Sequence, residues 1–216
     1  MENETPTEPT TRDKILIAAA TMLGEDPTAR LSVRAVAARA GVSTGSLRHF
    51  FPTQQELLDT VIAGVFGWVF PGDPIRDTSL SPSDRLVACL QQLLATSGTG
   101  DQAREMWRVT LEAYVAVRPS AGSTSTFLAL EREGRRRIEE WLTVLTEEGA
   151  IPPGDTVQRA RFLSTVVDGL SVERALPTDG SRMAAEADTL RLAVLGVVHD
   201  APAVSVDPRS GDLPPS

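Results

Sequence analysis

The sequence has very little cysteine, lysine or tyrosine and no long apolar run. Its 216 residues include one cysteine (Cys89), one lysine (Lys14) and one tyrosine. A single cysteine cannot form an internal disulfide or a thiolate metal cluster. No stretch reaches the roughly eighteen apolar residues of a membrane-spanning helix. Residues 1–10 are acidic and contain proline, unlike a secretory signal. These absences predict a soluble, cytoplasmic protein with no metal, no cofactor and no membrane partner.

Charge is distributed unevenly along the chain. The net charge of −8 would by itself argue against a nucleic-acid partner. Residues 10–56, however, carry six basic and four acidic side chains, a net of +2, whereas residues 57–216 carry a net of −7. A mildly basic N-terminal part joined to an acidic body suggests two functions in one chain.

Helical periodicity dominates the pattern, and strand signals are scarce. Apolar residues recur at spacings of three and four along most of the chain, interrupted by glycine and proline. The pattern predicts an all-α fold of about nine helices. Their ranges are 12–23, 32–38, 43–50, 53–69, 83–96, 101–117, 120–148, 156–176 and 181–199. The run of Arg and Glu over residues 132–140 is typical of a solvated helix face.

The segment from Leu31 to Phe51 has the most informative spacing. Two short helices flank a tight turn in which Gly41 suits a positive φ and Ser43 caps the second helix. We expect Val42 to fill the angle between the helices, over a small apolar wedge. The wedge is predicted to comprise Ala35, Val36, Ala38 and Leu47. This spacing predicts a helix-turn-helix, whose second helix can enter the major groove, although structural helical hairpins share the spacing.

Residues 11–58 resemble the TetR family of bacterial transcriptional regulators. The resemblance is carried by the segments 12–16, 18–19, 31–37, 40–47 and 51–58. Residues 166–170 are similar to a segment of the family's penultimate helix. Two positions depart from the family pattern, since Arg48 replaces the usual tyrosine and Gln54 the usual lysine. This pair resembles a BetI-type subgroup.

The resemblance implies a division into domains and a set of DNA contacts. Residues 11–58 would form a three-helix DNA-binding head and residues 59–199 an effector-binding and dimerisation body. A disordered arm (1–10) and tail (200–216) would flank them. The resemblance places Thr44, Gly45, Ser46, Arg48 and His49 toward the groove. It places Ser32, Arg34, Ser43, Thr53 and Gln54 at phosphates. Arg39 is expected to be solvated instead.

A single recognition helix contacts only a few base pairs, so a two-fold dimer on a near-palindromic operator is expected. The last two helices are apolar over more than one stripe, which indicates either a partner or packing on the chain's own body. The predicted interface comprises Leu163, Val166, Val167, Leu170, Leu190, Val194, Val197 and Val198.

The acidic body would hold a pocket for a small hydrophobic or aromatic effector. Its candidate lining residues are Phe66, Leu90, Trp107, Leu111, Tyr114, Phe127 and Phe162, although ordinary core packing explains each of them as well. Cys89, on a mostly apolar helix, is expected to be an inert small hydrophobic residue.

We therefore predict a homodimeric repressor that a small molecule releases from its operator. An effector-independent or protein-controlled regulator remains open, as does a helical interaction protein whose head no longer binds DNA. An enzyme is not expected, because the sequence has no glycine-rich phosphate loop, nucleophile elbow or His-x-x-x-His pair.

Overall fold

A computed structural model describes residues 9–26, 31–70, 72–116, 121–178 and 180–198. The predicted tail at 200–216 and most of the predicted arm at 1–10 lie outside these residues. Thr10, which the prediction placed in the arm, is the N-cap of the first helix, where its side chain and that of Asp13 form a capping box.

Nine α-helices and no strands make up the regular structure of the described residues, which confirms the all-α prediction. The helices are α1 (Thr11–Glu25), α2 (Val33–Ala40), α3 (Thr44–Phe50), α4 (Gln54–Val69), α5 (Pro82–Ala95), α6 (Asp101–Leu111), α7 (Ala121–Glu147), α8 (Thr156–Ala175) and α9 (Ser181–Val198). A 3₁₀ turn at Pro74–Arg76 precedes α5. The helix predicted over 101–117 is α-helical only to Leu111 and continues as a π-helical turn, Glu112–Ala116.

Local sequence accounts for where most of these helices begin. Ser32, Ser43, Thr53, Ser81 and Asp155 each accept a backbone N–H from the first turn of the following helix. Such caps satisfy donors that a helix start leaves unpaired, each worth about 1 kcal/mol.

The buried side chains form two cores. The first joins α1, α2, α3 and the first half of α4, and its fully buried members include Ile15, Leu31, Leu47 and Leu57. The second joins the 3₁₀ turn, α5, α7, α8 and α9. Ile62 of α4 and Ala129 of α7 also belong to the first core, so α4 leads from the head into the body.

Three of the ion pairs connect helices of the body to one another or to α4. Arg132 of α7 pairs with Asp59 of α4 at 2.8 Å. Arg85 of α5, which is buried, binds Glu148 just after α7 at 2.6 Å. Arg174 of α8 binds Glu186 of α9 and also donates to the Leu94 carbonyl at the end of α5. These contacts fix the helices of the body to one another and to α4.

Candidate nucleic-acid interface

The turn between α2 and α3 has the conformation that its sequence predicts. Gly41 has φ +68° and ends α2, donating its N–H to Ala37 and Ala38. The Val42 N–H also reaches the Ala37 carbonyl, at 3.0 Å. Ser43 Oγ accepts the Ser46 N–H at 3.0 Å, and only three residues separate the start of α3 from the end of α2. The two helices therefore meet in a helix-turn-helix.

The apolar wedge under this turn differs in part from the prediction. Val36, Ala37 and Leu47 are buried, whereas Ala35 and Ala38 are exposed. The prediction for Ala35 and Ala38 was wrong because positions 36 and 37 already form the inward face of α2. At about 100° per residue, residues 35 and 38 lie to either side of that face.

The outer surface of α3 is small and polar. Thr44, Gly45, Arg48 and His49 are exposed and Ser46 is partly exposed, whereas Leu47 is fully buried. The His49 ring stands edge-on to Phe50, with centroids 5.3 Å apart. Phe51 is buried and has the Arg12 guanidinium over its ring at 5.6 Å, so α1 packs against the end of α3. The Arg12 contact is one that the sequence analysis did not anticipate.

The arginines of the head divide into paired and unpaired side chains. Arg39 binds Glu25 through two hydrogen bonds, one of them 2.6 Å from Nη1 to Oε2. Arg34 and Arg48 are exposed and pair with no carboxylate of the described residues. The structure thus leaves two cations available on α2 and α3 and occupies the third, which agrees with the expectation that Arg39 is not a DNA contact.

The start of α4 is partly neutralised by its own side chains. Glu56 accepts hydrogen bonds from the N–H and the hydroxyl of Thr53, at 3.1 and 3.2 Å. A carboxylate at a helix N-terminus favours the helix but opposes an approaching phosphate. Gln54, the first residue of α4, is partly exposed beside this cap and carries no charge.

The seven predicted effector residues do not share one cavity. Leu90 is fully buried in the body core, Phe66 packs with Phe70 at the end of α4, and Phe162 is exposed on α8. Trp107 donates from Nε1 to Ser171 Oγ at 3.0 Å. Among the seven, Tyr114 and Phe127 form an aromatic pair with each other, with centroids 4.8 Å apart, and Leu111 is exposed.

Tyr114 is partly buried. Burial raises the pKa of Tyr114, and the negative charge of Asp26, the C-cap of α1, raises that pKa further. Both effects favour the protonated phenol.

Six of the eight residues predicted to meet a second subunit are buried by the chain itself. Leu163, Leu190 and Val194 are fully buried, Val167, Leu170 and Val197 are nearly so, and Val166 and Val198 pack against the same core. A side chain already covered by its own chain has no surface left for a partner. The large apolar residues that α8, its C-cap and α9 expose are others: Val157, Phe162, Val172, Leu176, Met183, Leu192 and Leu195.

Two family models match this chain. The one described as "Bacterial regulatory proteins, tetR family" matches residues 15–61, the whole helix-turn-helix included. The one described as "BetI-type transcriptional repressor, C-terminal" matches residues 82–195, which is more than half of the chain.

Several curated proteins are similar in sequence. The HTH-type transcriptional repressor KstR2 of Mycobacterium tuberculosis is 29% identical over 146 residues, 66% of this chain and 70% of that protein. KstR2 of Mycolicibacterium smegmatis is 34% identical over 88 residues, 40% of this chain but only 43% of that protein. The HTH-type transcriptional regulator BetI of Rhizobium meliloti is 24% identical over 170 residues, 78% of this chain and 80% of that protein.

One solved structure, a TetR-family regulator from Streptomyces coelicolor, has a TM-score of 0.52 at 20% identity, covering 92% of this chain and 100% of that chain. It supports the fold alone.

A helix-turn-helix head continued by one helix into a larger all-helical body defines a class of DNA-binding regulators. This chain belongs to the TetR family of bacterial transcriptional regulators, with a C-terminal part of the BetI type. Within the described residues, no helix has both the length and the apolar character needed to span a membrane.

Proposed function

We propose that this protein is a homodimeric cytoplasmic repressor, with a head at 11–58 and a body at 59–199, that leaves a palindromic operator when a small molecule binds. One observation carries the DNA-binding part. In a chain of net charge −8, the exposed arginines of α2 and α3, Arg34 and Arg48, have no carboxylate partner among the described residues. The names of the KstR2 relatives, which are repressors, favour repression over activation.

Each side chain of the head then has a role that follows from its position. The exposed surface of α3, formed by Thr44, Gly45, Ser46, Arg48 and His49, would face the base edges of the major groove. Arg34 would neutralise a phosphate beside Ser32, whose hydroxyl caps α2. Ser43, Thr53 and Gln54 would contact the flanking backbone. Because Glu56 already occupies the start of α4, we expect the contact there to come from the Gln54 amide.

Arg48 provides the test of the DNA-binding proposal. We expect Arg48→Ala to weaken specific binding by about 1–3 kcal/mol if the guanidinium reads a base. Binding is measured by fluorescence anisotropy on the DNA segment upstream of the protein's own gene, with a scrambled duplex for comparison. An equal loss on both duplexes would assign Arg48 to a phosphate instead.

Arg39→Ala is the matched control, because Arg39 is engaged by Glu25. It should leave specific affinity unchanged. If Arg48→Ala binds the upstream duplex as tightly as the wild type at low salt, Arg48 does not contact DNA as proposed.

Dimerisation would use the exposed faces of α8 and α9. On α8, Phe162, Thr165, Gly169, Val172 and Leu176 are exposed at spacings of three and four, which places them along one stripe. No atom lies within 4 Å of a Cβ built on Gly169, so the stripe has room for close approach by a partner helix. Two heads held in this way must present α3 about 34–36 Å apart to contact successive major grooves.

The effector would bind near the Tyr114–Phe127 pair, with Leu111 beside it. Binding there would disturb the π-helical turn that contains Tyr114. Together with a hinge at Pro52, where α3 passes into α4, this provides a route by which α4 moves the heads away from groove spacing. An effector that acts this way must lower the affinity of the protein for its operator in a titration.

An effector-independent or protein-controlled regulator is the second candidate. It is favoured by the dispersal of the predicted pocket residues, since Leu90 is core and Phe162 lies on the surface. Operator affinity that stays constant across a metabolite screen, together with a dimer that binds DNA normally, would select this candidate.

A further inference from the structure

A groove of about 550 Å³ lies between the connection from α4 to α5 and the C-terminal half of α7. Phe70, Ile75 and Trp141 are buried and form its floor, with Val144 at one side. None of the seven predicted effector residues lines it. The groove is therefore a surface separate from the Tyr114–Phe127 pair.

Arg137 lines this groove and lacks the ion pair that comparable arginines have. Arg85, Arg135 and Arg174 are also partly or fully buried in the body, and each binds a glutamate. Arg137 binds no carboxylate of the described residues, and its one hydrogen bond is a long one, 3.4 Å from Nη2 to the Phe70 carbonyl. A partly desolvated guanidinium without an anion is unusual in a chain with 29 acidic residues.

Unsatisfied polar atoms gather around the same connection. Among the described residues, the buried side-chain atoms without a hydrogen-bond partner are Arg85 Nε, Gln92 Oε1 and Arg137 Nε. Arg85 donates to the Ile75 carbonyl at 2.7 Å, and the Gln92 amide nitrogen lies 3.7 Å from a Cβ built on Gly72. All three side chains thus border residues 70–76. Unsatisfied buried atoms carry a free-energy cost, and a bound molecule can offset that cost by causing these side chains to rearrange.

The geometry of Arg137 selects one kind of ligand. Its guanidinium lies over the rings of Phe70 and Trp141, at 5.2 and 5.9 Å from their centroids, so two aromatic side chains hold it in place. A planar guanidinium held in this way favours a carboxylate through parallel hydrogen bonds, and its Nη1 donates to no described residue.

The groove's own acids are already engaged. Asp73 pairs with Arg76 at 3.1 Å, and Glu140 pairs with Arg136.

We propose that this groove binds a small monocarboxylate with an apolar body. The carboxylate would bind Arg137, and the apolar part would pack on Phe70, Ile75, Trp141 and Val144. The site is additional to the effector region and does not depend on it.

The test uses the full-length protein without DNA, labelled with 5-fluorotryptophan. The chain has three tryptophans, so ¹⁹F NMR gives three resonances, and Trp141→Phe assigns the one in the groove. The probes are 4-phenylbutyrate and its neutral amide. We expect the carboxylate to shift the Trp141 resonance and to leave Trp68 and Trp107 unchanged, with roughly tenfold or more weaker binding of the amide.

Two arginine variants then locate the carboxylate. Arg137→Met should lose the preference for carboxylate over amide. Arg135→Met, which removes a paired arginine outside the groove, should keep it. If Arg137→Met does not fold, Val144→Phe fills the groove without adding a fourth tryptophan and should abolish the shift. Equal affinity for the two probes, retained preference in Arg137→Met, or no Trp141 shift at millimolar carboxylate would each overturn the proposal.

Discussion

At the scale of single residues, Cys89 shows how completely the body core excludes water. Its side chain is fully buried on α5, and burial, followed by the charge of Asp73, raises the pKa of Cys89 to about 12. Because thiolate is the nucleophilic form, a thiol with this pKa is nearly all protonated at neutral pH. The residue behaves as the small hydrophobic side chain that its sequence context indicates.

We predict that Cys89 resists alkylation by N-ethylmaleimide in the native protein at pH 8 and reacts fully in urea. The folded state holds the thiol proton more tightly than the unfolded state, whose thiol titrates near about 8.5. The contribution of Cys89 to stability is therefore constant at neutral pH and falls as pH rises above that value. Mass spectrometry of timed samples measures the reaction. Rapid modification of the native protein would show that α5 opens locally.

Sequence spacing does not determine the ion-pair partners of Arg137. Glu133 and Glu140 lie within one helical turn of both Arg136 and Arg137, and spacing alone does not say which arginine they bind. In the structure Arg136 takes both glutamates, and Arg137 turns toward Phe70 and Trp141. The expectation of a solvated face over residues 132–140 holds for Arg136, but Arg137 is partly buried.

At the scale of elements, the turn between α2 and α3 depends on the backbone of one glycine. Gly41 adopts φ +68°, and a Cβ built there would meet no atom within 4 Å. Any cost of adding a side chain therefore comes from the left-handed backbone and not from a clash.

We predict that Gly41→Ala destabilises the protein by about 1–2 kcal/mol, whereas Gly45→Ala stabilises it by up to about 1 kcal/mol. Gly45 lies within α3, where alanine favours the helix, and its added Cβ would meet only Ser43 Oγ at 3.7 Å. Urea denaturation at fixed protein concentration measures both variants. If Gly45 faces the groove floor, its more stable variant should also bind operator more weakly. The reverse order of stabilities would contradict the turn geometry.

The elements also show which parts of the fold local sequence determines. Gly41, Ser43 and the Thr53–Glu56 capping box act within a few residues, so the head and its turn could be predicted from sequence. The partners of α8 could not, because Leu163 and Phe162 are adjacent apolar residues on different faces. Only packing decides that Leu163 enters the core and Phe162 stays exposed.

At the scale of the whole molecule, the exposed stripe of α8 is the surface that we propose joins two subunits on an operator. Val172 lies in this stripe, whereas Val157 is exposed on another face of the same helix. An acidic side chain in a closely packed helix interface is strongly unfavourable, because its charge loses water without gaining a partner.

We predict that Val172→Glu converts the protein from dimer to monomer and that Val157→Glu does not. Sedimentation velocity at micromolar concentration distinguishes the two species, and circular dichroism verifies that each variant is folded. The monomeric variant should also lose operator binding, because one head covers only half of the site. A folded, dimeric Val172→Glu protein would place the interface elsewhere.

The 16 residues of α4 form an unbroken rod that begins in the core of the head and ends at Phe70 in the body. At 1.5 Å per residue the rod is about 24 Å long, so a tilt of only about 10° displaces one end by about 4 Å. A shift of that size exceeds the reach of a hydrogen bond to a base edge. A tilt of this size, imposed at the body end of α4, is therefore sufficient to move α3 out of hydrogen-bonding distance of the bases in its groove.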